Sequence, residues 1–290
     1  MSEIIEKLKN YIKDSKNNMS SYGIYHIYNS DYEDMENGMN SGTYIKLNFY
    51  IKIKSYIYFI QSLLIFKSII LKNIFIKKYK SICKKQSRLF DDSLILHSIV
   101  LEMLYKKGLL KGNVCTIGDG KANFVTGLLF TENIKKIYSV NLPQSLIQDY
   151  LILKKHNLID DKYITVVENE EDLYEEQIKL FLVPAQNKNL LNDKAINLFV
   201  NMSSFQEMPL SETHSYLDII SSNNAYLYSL NREEKIMYDK KKINYYEYGI
   251  DKKSEIIIEE EAKFVKYYYN LRFPFIHKKK SKVISTLAKF

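Results

Sequence analysis

Two short runs in this sequence have the composition of ligand-facing turns rather than of core. The first is Val114-Cys115-Thr116-Ile117-Gly118-Asp119-Gly120-Lys121-Ala122. An apolar strand run ends there in Gly-x-Gly, and a helical pattern over 122–130 begins at once. Glycines at such a junction let the backbone approach a ligand closely, and the start of the helix turns N–H groups toward it. Gly-x-Gly alone is also simply a tight strand–helix turn, so its context matters. Directly after the next apolar run stands Asn141-Leu142-Pro143. Nucleotide-binding α/β folds place a ribose-reading side chain at that point, about twenty residues beyond the glycine turn.

The second run is Asn201-Met202-Ser203-Ser204-Phe205-Gln206-Glu207-Met208-Pro209, at the end of another apolar run. Polar residues gathered at a strand end face the same crevice as the glycine turn in such folds. The competing reading is local: Ser204 and Glu207 have capping-box spacing ahead of a helix. Glu207 is the first candidate for a general base, with His97 and His214 as alternatives; a lone histidine is more often a helix-face or core residue. No His, Cys or carboxylate cluster has ligand spacing, so no metal is expected.

The elements that must carry these turns alternate. Residues 113–117, 134–140, 163–167, 196–201 and 225–230 read as strands, and 122–130, 144–158 and 210–222 as helices. A further helix starts at Asp91-Asp92 and ends near Gly108. Strands alternating with helices predict an α/β fold, a doubly wound Rossmann-like parallel sheet covered on both faces. Residues 263–273 and 282–290 read as a terminal antiparallel hairpin on it. Ahead of this domain (89–290) lies a mainly helical N-terminal extension, 1–88. Its residues 3–17 form an amphipathic helix with Ile4, Ile5, Leu8, Tyr11 and Ile12 on one face. Residues 18–44 read as a loop. Residues 47–76 are apolar but interrupted by Lys52, Lys54, Lys67 and Lys72, too short a charge-free run to span a membrane. Burial is the first reading of 47–76 and an interfacial helix the second. The run 77–88 is then a solvated linker or a basic rim, so peripheral membrane contact through 47–88 stays open.

The formal charge is +8, but only three cations are arginine, so a solvated basic surface is expected rather than a nucleic-acid groove. The lysine excess reads as a bias of composition. Cys83 and Cys115 lack metal spacing, and the N-terminus lacks a signal-peptide pattern, which together suggest a reducing cytoplasm.

Residues 90–231 resemble the sugar O-methyltransferases of bacterial polysaccharide and secondary-metabolite loci. The resemblance rests on Asp91-Asp92-Ser93-Leu94, Ile117-Gly118-x-Gly120, Asn141-Leu142-Pro143 and Tyr228-Ser229-Leu230-Asn231. Its most specific part is Asn201 followed by Ser204-Phe205-Gln206-Glu207-Met208. It implies S-adenosylmethionine as cofactor and a sugar or glycan hydroxyl as methyl acceptor. The implied cofactor contacts are Thr116, Ile117, Gly118, Asp119, Gly120, Asn141, Leu142, Glu168 and Asn201. The implied acceptor contacts are Ser204, Gln206 and Asn231. This sequence departs from the family at Thr116 and Asn141, where the family has acids, and at Ala122, where it has a third glycine. Those departures keep an alternative open: a degenerate methyltransferase fold that binds a glycan or a partner.

Overall fold

The computed structural model describes residues 2–16, single positions at 53, 56, 57, 60 and 63, and then 70–86, 90, 92–155, 157–236, 242–265, 267–269, 276–278 and 281–290. The loop expected over 18–44 and most of 47–69 lie outside these.

The central sheet has eight strands: β1 (Gly112–Ile117), β2 (Ile134–Asn141), β3 (Ile164–Val166), β4 (Leu180–Pro184), β5 (Leu198–Met202), β6 (Tyr226–Arg232), β9 (Glu255–Glu261) and β12 (Val283–Lys289). Their order is β3-β4-β2-β1-β5-β6-β12-β9. All pairings from β3 to β6 are parallel, and β12 runs antiparallel to both β6 and β9. Two-stranded ribbons join β7 (Glu234–Ile236) to β8 (Lys242–Asn244) and β10 (Tyr267–Tyr269) to β11 (Ile276–Lys278).

Alternation along the strands sends side chains to two separate cores. Val114, Leu180, Leu182, Leu198 and Val200 enter one, Cys115, Ile117, Phe181, Val183 and Phe199 the other. Strands buried on both faces read as continuous apolar runs, as LFLV in β4 does. The first core is covered by α1 (Glu3–Lys16), α2 (Ile74–Gln86), α3 (Asp92–Lys106), α4 (Asn123–Leu129) and α5 (Pro143–Lys155). The second lies under α6 (Leu210–Ser222) and the turns around 185–191 and 245–253. The doubly wound, three-layer α/β arrangement and the helical N-terminal extension are thus present.

Four details differ from the sequence expectation. β4 falls in the stretch left unassigned between 167 and 196, and it separates β3 from β2. The antiparallel pair that closes the sheet is formed by β9 and β12, so its first member lies upstream of 263–273. Residues 74–86 are a helix and not a linker, because Phe75, Ile76, Tyr79, Ile82 and Cys83 repeat at helical spacing and are buried. The capping box at Ser204 does not form, since its hydroxyl caps nothing in the following turn.

Candidate active site

The C-terminal ends of β1, β2, β4 and β5 open on one side of the sheet, and a cleft lies there. It holds about 770 Å³ of empty space, the open solvent at its mouth included. Its walls include Gly118 and Gly120 from the turn after β1, and Asn141 and Leu142 after β2. Ala185 follows β4, Ser204, Glu207 and Met208 follow β5, and Glu212 and Tyr216 lie on α6.

The two glycines differ. Gly118 has φ +72°, and a Cβ on it would lie 2.5 Å from the Ser204 Cβ. Ser204 therefore sits directly against the glycine and donates its hydroxyl to the Gly118 carbonyl at 2.9 Å. At Gly120 an added Cβ would meet nothing within 4 Å. Its bare face belongs to the cleft.

The turn is fastened from below. The Asp119 carboxylate accepts the N–H groups of Phe124 at 2.8 Å and Val125 at 2.7 Å, at the start of α4. His97 Nε2 lies 3.7 Å from the same carboxylate, and its Nδ1 is 2.7 Å from the Ser93 carbonyl. Asp119 and His97 thus act beneath the loop, outside the cleft wall. Lys121 and Ala122 both take left-handed backbone, with φ of 72° and 48°, a region costly for residues with a Cβ. The Ala122 N–H donates to Asp149 Oδ1 at 2.6 Å, which holds that conformation.

Asn141 is half-buried at the cleft wall. Its Oδ1 accepts the N–H of Leu142 at 2.9 Å, while its Nδ2 is buried without a partner among the described residues. Thr116 is buried in β1, its hydroxyl also without a partner there, and Ile117 is buried on the face toward α6. Burial pushes the neighbouring Cys115 thiol well above its ordinary range. Glu168 lies away from the cleft at the end of β3, paired with Lys7 at 3.2 Å. With β4 between β3 and β2, Ala185 takes the position beside β2.

The polar run after β5 divides in the same way. Asn201 is fully buried; its Nδ2 donates to the Ile117 carbonyl at 3.2 Å, and its Oδ1 accepts from Phe205 N at 3.2 Å and Asn231 Nδ2 at 2.9 Å. Asn231 Oδ1 accepts from Gln206 N at 3.3 Å, and Gln206 Oε1 accepts from Arg232 N at 2.9 Å. These three amides stitch the loop to β1 and β6. Glu207 is left at the cleft, its side chain 63% exposed and 3.8 Å from Lys235 Nζ. His214 is exposed on α6, its Nε2 3.3 Å from the Glu247 carbonyl and outside the cleft wall.

Three residues unmarked in the sequence belong to this region. Lys188 and Glu212 form a nearly enclosed ion pair at 2.7 Å, and Lys188 Nζ lies 5.4 Å from the centre of the Tyr216 ring. An acid in the first turn of a helix reads as an ordinary dipole partner, so Glu212 carried no distinguishing signal.

No protein-family model matches the chain, and no curated protein sequence does. Solved structures share its layout loosely. A protein from Galdieria sulphuraria described as a sarcosine dimethylglycine methyltransferase is 9% identical, covering 68% of this chain and 86% of its own, with a TM-score of 0.45. The methyltransferase domain of bacterial CtHen1 is 10% identical over 67% of this chain and 97% of its own, at 0.41. TehB from Haemophilus influenzae is 13% identical over 64% of this chain and 60% of its own, at 0.42.

Proposed function

We propose that the chain binds S-adenosylmethionine in this cleft and passes its methyl group to a hydroxyl of a sugar or glycan. The observation that carries the reading is the bare face of Gly120, which opens on the cleft beside the unpartnered Asn141 amide. A cradle that a Cβ would fill and an orphaned polar atom at its rim suit a ribose-bearing ligand. Gly118 and Gly120 would meet the methionine portion through the backbone, Asn141 the ribose, and Leu142 and Ala185 the adenine. S-adenosylmethionine would supply there an electrophilic methyl carbon, to which the acceptor oxygen bonds as the carbon–sulfur bond breaks and S-adenosylhomocysteine leaves.

The chain's own work is alignment and proton removal. Glu207 is the carboxylate that would take the acceptor's proton, because its contact with Lys235 is exposed and 3.8 Å long whereas Glu212 is held by Lys188 at 2.7 Å. Asn201, Gln206 and Asn231 position Glu207 through the loop they fasten. The sugar acceptor rests on the family resemblance of the loop from Ser204 to Met208.

A second reading, a degenerate fold that binds without transfer, is favoured by Asn141, whose acceptor oxygen is spent on Leu142. Isothermal titration with S-adenosylhomocysteine, followed by a labelled-methyl transfer assay on monosaccharides and glycans, separates the two. Binding with transfer supports the enzyme, and binding with no transfer the degenerate module. Absence of binding would overturn the cofactor assignment itself.

A further inference from the structure

The chain's positive excess is gathered in one stretch. Between residues 37 and 90 there is no Asp or Glu, but there are ten Lys and one Arg; the remaining residues carry three more acids than Lys and Arg together. A composition bias spread over the whole chain is therefore the wrong account of the charge.

Part of this stretch is α2, which is fixed to the domain by its buried inner face. The Ile74 N–H donates to Glu102 Oε2 at 3.0 Å, and the Phe75 and Tyr105 rings meet edge-on with centroids 6.1 Å apart. The start of α2 is thereby held beside the end of α3. That junction exposes Leu71 (54%), Ile74 (39%) and Tyr105 (47%) to solvent. Exposed lysines flank each of them: Lys72 beside Leu71, Lys77 and Lys78 one turn from Ile74, and Lys106 and Lys107 beside Tyr105. Upstream, Ile53, Tyr56 and Ile60 are exposed at spacings of one helix face.

Apolar side chains exposed among lysines match a surface that is anionic outside and apolar beneath; the acid at the junction, Glu102, is buried and paired with Lys106 at 3.0 Å. A nucleic acid offers only the anionic half, and the single Arg88 in the stretch gives little of the forked phosphate recognition it favours. No helix among the described residues is long and apolar enough to cross a membrane. We propose that the α2–α3 junction docks the protein on an anionic lipid surface. Lysines meet the headgroups, and Leu71, Ile74 and Tyr105 enter the outer acyl layer. This does not depend on the methyl-transfer reading, and either can fail alone.

The test is co-sedimentation of the full chain with vesicles of phosphatidylcholine alone and with about one-third phosphatidylglycerol. Binding is expected only to the anionic vesicles and is lost at about 0.5 M NaCl. The triple variant Lys72→Glu/Lys77→Glu/Lys107→Glu changes exposed side chains only and should weaken binding by about 100-fold or more. Leu71→Ser/Ile74→Ser keeps every charge and should weaken it by about tenfold. Unchanged unfolding midpoints confirm that both variants are folded. The proposal is overturned by equal binding to both vesicle types or to neither. It is also overturned by anionic binding that both variants retain, or by an RNA or duplex DNA oligonucleotide that displaces the vesicles.

Discussion

Gly118 and Gly120 stand two residues apart and need to be glycine for different reasons. Gly118→Ala would strain a positive φ and collide with Ser204, so lowered stability is expected, about 1–2 kcal/mol from the backbone alone. Lost ligand binding in that variant would say little. At Gly120 an added Cβ has open space, and the expected outcome of Gly120→Val is an unchanged melting temperature with loss of the thermal shift by S-adenosylhomocysteine. At Asn141 the carboxamide oxygen is occupied and the Nδ2 donor is buried without a partner among the described residues. Asn141→Asp keeps the bond from Leu142 and substitutes a charged acceptor, which should tighten S-adenosylmethionine binding by about tenfold in calorimetry. Unchanged affinity would remove Asn141 from the ribose. For Glu207→Gln a fall in turnover of about 10²–10⁴ is expected with cofactor affinity retained; an active variant would exclude Glu207 as the base. The glycine turn and Asn141 were legible in the sequence because backbone geometry at strand ends is a local property. Asn201, Gln206 and Asn231 were not, since a polar run has the same composition whether it faces a ligand or is paired within itself.

At the scale of elements, the strand pattern located the crevice, and one missed strand rearranged its rim. LFLV over 180–183 is too short for periodicity to separate strand from helix, and it lies in an otherwise acidic stretch. Once β4 is placed between β2 and β3, Glu168 moves out to Lys7 and Ala185 comes to the cleft. The strand β9 was missed for another reason: four of its seven residues are Glu, a composition depleted in strands. Helix α4 depends on Asp119, whose carboxylate serves two N–H groups at its start. Asp119→Ala should lower stability by about 1.5–3 kcal/mol, read from denaturant midpoints, while Asp119→Asn keeps one acceptor and should cost less. An Asp119→Ala protein of full stability that fails to bind cofactor would instead place this carboxylate in the cleft.

For the whole molecule, the N-terminal helix shares the core of the sheet. Ile4, Ile5, Leu8 and Ile12 are buried in the same cluster as Val114 and Leu180, and the Ser2 and Tyr150 hydroxyls are 2.8 Å apart. Burial of four such side chains contributes about 6–12 kcal/mol, comparable with the total stability of a domain. Deletion of residues 1–16 is therefore expected to prevent cooperative unfolding, as monitored by circular dichroism. A truncated chain that melts like the parent would make the extension dispensable. The position of β12 has a consequence during synthesis. β9 is made first, yet its only neighbour among the described strands is β12, which follows after the intervening ribbon. Until β12 leaves the ribosome, β6 and β9 both present open edges, and contacts so distant in sequence form late. Glu255, Glu259, Glu260 and Glu261 put repelling charge on β9 throughout that interval. In the finished sheet β9 is still an edge strand, and the same glutamates guard it against pairing with another nascent chain.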